Sequence, residues 1–146
     1  QRSLVGSEMC IRDSSWTVTL EKQIKADISA EFMNTSGVTL AGDYLYFSAG
    51  TLTVSRVSLK TWKVEEYIQV KNDVPNAQYI TCNVVADSKK NLLYVSVSDD
   101  LGEAIIANGN VLVYDCSGEE PALVMNTENK TSYPVNIYPM SRFHNE

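Results

Sequence analysis

Two stretches of this chain align residue for residue. Asp43-Tyr44-Leu45-Tyr46-Phe47-Ser48 matches Asn91-Leu92-Leu93-Tyr94-Val95-Ser96. Each block follows an apolar stretch that ends in a turn, SGVTLAGD before the first and YITCNVVADSKKN before the second. Each is followed by a β-rich run, TLTVSRVSL (Thr51 to Leu59) or NVLVYDC (Asn110 to Cys116). A polar turn and a last strand then close the unit, WKVEEYIQV (Trp62 to Val70) or PALVMN (Pro121 to Asn126). Val, Ile, Thr and Tyr fill these runs, while Gly, Asn, Asp, Ser and Pro separate them, which is the pattern of strands and turns. The reading is four short strands, twice.

The second unit carries extra residues between its second and third strands, SDDLGEAIIANG (Ser98 to Gly109). With about ten of them removed, the period falls to about 38 to 40, the range of a four-stranded propeller blade. The middle strands, LYF and LLYV, do not alternate cleanly. That suits a sheet covered on both faces, because one wet face would impose strict alternation. Helix competes only over Thr19 to Phe32, where Leu20, Ile24 and Ile28 are spaced by four. Ala26, Ile28 and Ala30 also alternate there, and the segment reads as the last strand of a preceding blade plus a connection.

The stretch VPNAQYITCNVVADSKKNLLYVSV, with GNVLVYDCSGEEPALV after it, resembles the YVTN-type propeller repeat. VYDCSGEEPALV also resembles the related LVIVD repeat, and YPVNIYPMS (Tyr133 to Ser141) resembles the opening of a further blade. The chain departs from the pattern in having ADSKKN where Pro-Asp-Gly is usual, and in the long segment from Ser98. The resemblance implies an all-β fold: a β-propeller fragment of about two four-stranded antiparallel blades plus partial flanking blades. Residues 15–146 then form the partial propeller, with blade units at about 35–70 and 78–126 and the start of another at 133–146. A blade buries its faces only against neighbours, so the missing blades of the same chain are expected partners.

Residues 1–14 have no apolar period of either kind. Within them, SLVGSEMCIRD (Ser3 to Asp13) resembles translated sequencing-adapter DNA, which implies a non-native tail outside the fold.

With 44% hydrophobic and 21% charged residues, the composition is that of a globular chain rather than a disordered one. A net charge of −6 opposes a nucleic-acid partner, which needs a basic footprint. No apolar run is long enough to span a membrane as a helix. The Asn34-Thr35-Ser36 and Asn129-Lys130-Thr131 triplets match the N-glycosylation pattern and favour a periplasmic, cell-surface or secreted setting.

Chemistry is sparse. The single His, His144, stands near the end of the sequence, and there is no G-x-S-x-G, G-x-G-x-x-G or Walker-type motif. No catalytic set and no cofactor are expected. Asp99, Asp100 and Glu103 are oxygen ligands on one loop, but they lack the ordered spacing of a calcium loop and read as a solvated acidic segment. Cys82 and Cys116 lack paired zinc-ligand spacing and read as small apolar side chains, too many strands apart to bridge.

The expected function is a binding or scaffold propeller module, with a protein or small molecule bound on one rim. The alternatives are part of a propeller enzyme, lactonase-like or quinoprotein-like, with its catalytic residues in other blades, and a structural cell-surface repeat protein. The candidate rim holds Asp99, Asp100, Leu101, Glu103, Ile105 and Ile106 from the long loop, with Asp73 and Asn129 on flanking connections. Long loops on a rigid scaffold are where binding concentrates.

Overall fold

The computed structural model describes residues 38–48, 52–81, 84–100, 108–130 and 137. The segments 1–14 and Thr19 to Phe32, most of Tyr133 to Ser141, and Cys82, Leu101, Glu103, Ile105, Ile106 and His144 lie outside them. The described residues are all-β apart from one 3₁₀ turn. They form two antiparallel sheets, of four and five strands.

The first sheet runs β1 (Thr39–Ala41), β2 (Tyr44–Phe47), β3 (Thr53–Ser58) and β4 (Val64–Gln69), in that spatial order. Ala41 lies opposite Tyr44, so the first hairpin closes on Gly42 and Asp43 alone. A turn this tight needs positive φ at its first central position, which Gly42 supplies at 56°. The β3–β4 turn also has a left-handed residue, Trp62 at φ 60°, whose amide donates to Ser58 O at 2.8 Å. That conformation is costly for a bulky side chain.

The second sheet repeats the order with β7 (Leu92–Ser98), β8 (Gly109–Asp115) and β9 (Ala122–Asn129). Its first position is shared by two short strands, β5 (Tyr79–Ile80) and β6 (Val85–Asp87), both on the same edge of β7. Here the structure refines the expected single strand. Ile80 pairs with Val97 but Val85 with Tyr94, so more residues lie between them on one strand than on the other and the pairing breaks. Asn91 takes φ 53° just before β7, a conformation Asn tolerates where Gly is usual.

The third and fourth strands carry a bulge in both sheets. Val54 faces Ile68 while Ser55 faces Glu66, which leaves Tyr67 as the extra residue. Val113 faces Met125 while Tyr114 faces Leu123, which leaves Val124. The first bulge breaks the alternation, so that Tyr67 and Ile68 both turn toward the second sheet.

The core lies between the sheets. Tyr46, Val54 and Ile68 from the first meet Ile80, Ala86, Leu93, Val95, Val97, Leu112 and Tyr114 from the second. Each fully buried aliphatic side chain stabilises the fold by about 1.5–3 kcal/mol before entropy costs. The first strands of the two sheets approach directly: β1 touches β6, and the Ala86 amide donates to Thr39 Oγ1 at 3.0 Å. The last strands do not close up in this way. Leu123 is opposite Tyr114, on the face turned toward the first sheet, yet it is 38% exposed. Between β4 and β5 the chain passes through a 3₁₀ turn (Val70–Asn72), with Val70 and Ala77 buried in the inter-sheet core.

Candidate functional site

The β7–β8 loop leaves the second sheet between Ser98 and Gly109, which are themselves paired. Its base is closed by one residue pair. Asp99 Oδ1 accepts the Asn108 amide at 2.9 Å, its Oδ2 accepts Asn108 Nδ2 at 2.9 Å, and the Asp99 amide donates to Asn108 O at 3.1 Å. The Asp100 amide donates to Ser98 Oγ at 3.1 Å. Asp99 is therefore occupied in shaping the loop base, as Asp near a turn commonly is.

Neighbouring segments meet this base. The Gln78 amide donates to Ser98 O at 2.7 Å, and Asn129 lies opposite Gly109. The structure thus brings Asp99, Asp100 and Asn129 to one end of the second sheet. Asp73 belongs to the connection that leads there, but its carboxylate points inward, where Oδ2 accepts the Tyr114 hydroxyl at 2.7 Å. Leu101, Glu103, Ile105 and Ile106 lie outside the described residues. Among the described residues no group of three or more His, Cys, Asp or Glu is placed to hold a metal ion.

The opposite end of the sheets carries a feature that sequence reasoning missed. A cleft of about 170 Å³ opens between the first hairpins of the two sheets. Ala41, Gly42, Asp43 and Tyr44 line one side, Asn91, Leu92 and Ser117 the other, with Tyr46 and Cys116 between. At its mouth Asp43 Oδ2 takes the Lys60 ammonium at 2.5 Å, a pair well exposed on both sides and so of little energetic weight. The signal was available in the alignment, because Asp43 and Asn91 are the matched turn positions.

Behind the cleft lies a polar cluster built by cross-strand register. Tyr46 faces Arg56, and Arg56 faces Glu65. The Arg56 Nε–Glu65 Oε1 contact is 2.6 Å. The guanidinium carbon sits 4.4 Å from the Tyr44 ring centroid and 3.8 Å from that of Tyr67, a cation held between two π faces. Tyr46 tilts against both rings, at 6.2 and 5.8 Å. Burial works against the Arg56 charge, but the hydrogen bond and charge of Glu65 outweigh it and hold the cation more firmly protonated.

Tyr67 Oη is buried and makes no hydrogen bond among the described residues. Burial and the adjacent Cys116 push its pKa well above the ordinary tyrosine value. The two groups sit close enough to influence each other without acceptable hydrogen-bond geometry. Cys116 is a free thiol whose pKa burial raises. A thiol kept neutral in this way is a poor nucleophile, and among the described residues no histidine is present to activate it. The cluster reads as a polar plug in the inter-sheet core.

No family model, curated protein or solved structure matches this chain. Among the described residues no helix is long and apolar enough to cross a membrane.

Proposed function

We propose that the two sheets are successive blades of a β-propeller of the YVTN type, and that the module binds its partner on the rim that carries the β7–β8 loop. The observation that carries the fold reading is the approach of the first strands, Thr39 Oγ1 to the Ala86 amide, while Leu123 on the last strand stays exposed on the facing side. Sheets that converge at one edge and part at the other are wedge-packed, as blades are, whereas a sandwich keeps its layers about 10 Å apart throughout. The connection supports the same reading, since the chain leaves the last strand of one sheet and enters the first strand of the next.

The rim assignment rests on the Asp99–Asn108 closure. It holds the ends of the long loop together beside Gln78 and Asn129, so the loop is presented from a fixed base. The cleft at the other end is smaller than the ~300–1,000 Å³ usual for small-molecule sites, which favours the loop rim. The test is to replace Ser98 to Gly109 by an Asn-Gly turn and to probe both proteins on peptide and glycan arrays. The reading expects hits for the parent chain that the shortened chain loses with its fold intact. The same hits on both proteins would contradict it.

A further inference from the structure

We infer that Asn108 is a site of slow, one-way deamidation, and that its conversion undoes the closure with Asp99. This stands whether or not the rim binds a partner. Asn108-Gly109 is the single Asn-Gly pair in the chain. The backbone nitrogen that follows an asparagine is the nucleophile in this reaction, and its target is the asparagine side-chain carbonyl. Glycine obstructs that attack least, because it has no Cβ and the freest backbone.

The fold restrains both reacting groups. The Asn108 backbone amide and Nδ2 each donate to the Asp99 carboxylate at 2.9 Å. Gly109, which supplies the attacking nitrogen, is buried between Ser98 on β7 and Asn129 on β9. It is nevertheless the first residue of β8, and Asn108 beside it is exposed. Strand ends open at far lower cost than the core. Conversion therefore runs through local opening of this end, and the Asp99 contacts set its rate.

On opening, the Gly109 nitrogen bonds to Asn108 Cγ. Nδ2 leaves as ammonia, taking the proton of the Gly109 amide. Water then adds to one of the two carbonyls of the cyclic imide and leaves aspartate or isoaspartate at position 108. The net change is water in and ammonia out, with no oxidant or reductant. A neutral donor facing Asp99 becomes a carboxylate facing a carboxylate. Position 108 follows directly from the Ser98–Gly109 pair as the partner of position 99. Like charges directly opposite destabilise a strand pair. Asp100, next to Asp99, and Glu128, opposite Asn110, add to the negative charge at this end. Lys130, one step beyond the Gly109–Asn129 pair, offers the new carboxylate a cation on the side away from Asp99.

The test is timed incubation of the whole folded chain at mildly alkaline pH, then digestion and mass spectrometry of the product at position 108. Asn126, which precedes the β-branched Thr127, is the slow internal reference. The expected result is conversion at 108 ahead of Asn126, slower than in the denatured chain. Asp99→Ala should speed it several-fold with the fold intact by circular dichroism, and Asp99→Asn is the second variant should the first fail to fold. The aged protein and the Asn108→Asp variant should both show faster hydrogen exchange at Asp99 and position 108. No conversion in the folded chain while the denatured chain converts overturns the inference. So does a rate indifferent to both Asp99 variants, or exchange unchanged after conversion.

Discussion

The Tyr114 hydroxyl donates to Asp73 Oδ2 at 2.7 Å, joining the third strand of the second sheet to the segment that connects the two sheets. The tyrosine is 2% exposed, so its hydroxyl has no ready access to water in the folded chain. Burial, then the neighbouring Asp73, raises the Tyr114 pKa far above the ordinary value. Tyr114→Phe should therefore cost about 1.5–3 kcal/mol, the range for a hydrogen bond to a charged acceptor. Chemical denaturation checks it, and a double-mutant cycle with Asp73→Asn should show coupling between the two positions.

Tyr67 should behave in the opposite way. Its hydroxyl is buried without a hydrogen bond among the described residues, so deleting it removes an unsatisfied group rather than an interaction. Tyr67→Phe is expected to leave stability unchanged or raise it by up to about 1 kcal/mol. A loss comparable with that of Tyr114→Phe in the same denaturation assay would refute this account of the cluster.

The tyrosines also set an alkaline limit. Tyr46, Tyr67 and Tyr114 all have folded-state pKa values raised above the unfolded value, with burial the largest cause in each. Above about pH 10 the unfolded chain loses phenolic protons that the folded chain keeps, so the unfolded state binds fewer protons. Stability is then fully present below pH 10 and falls as pH rises beyond it. Thermal melts from pH 8 to 11 should show the decline, and Tyr67→Phe should make it shallower.

Arg56 tests the packing at the junction of the sheets. Arg56→Ala removes a cation held between Tyr44 and Tyr67 and strands Glu65. The expected cost is about 1–3 kcal/mol, most of it from the stacked rings, because the Glu65 side chain is 35% exposed and solvent screens its share. Arg56→Lys should recover only part, since an ammonium lacks the planar stack. Full recovery with lysine, measured by denaturant titration, would contradict the sandwich geometry.

The closure of the long loop should be local. Asp99→Ala removes both side-chain bonds to Asn108 without touching the core. Hydrogen exchange should speed up around Ser98 to Gly109 while the midpoint of global unfolding stays within about 0.5 kcal/mol, as for exposed surface changes. Unchanged exchange there would show that the pair does not hold the loop base.

Much of the strand plan is legible in the sequence. Tyr46 and Tyr94 mark equivalent places on the second strands because the pleat repeats every two residues and the turns before them carry Gly42-Asp43 and Asn91. The bulges were not legible. Nothing in VEEYIQ tells that Tyr67 is the extra residue, since that depends on which partner the register gives it. The cleft and the Arg56 cluster were missed for the same reason. Their residues come from strands far apart in sequence and meet only when two sheets pack. Asp73 stood out in the sequence as an acid in a loop, and only the fold reveals the tyrosine that occupies it.

The central claim is wedge packing of successive sheets, and paired spin-label distances test it most directly. On a background with the cysteines replaced, one pair of labels goes on the first strands, at Leu40 and at Ser88 just beyond β6. A second pair goes on the last strands, at Glu66 and Val124. All four positions are exposed. The account predicts a short first-strand distance and a last-strand distance longer by at least one ~4.8 Å strand spacing. Two equal distances, as in parallel layers about 10 Å apart, would contradict it.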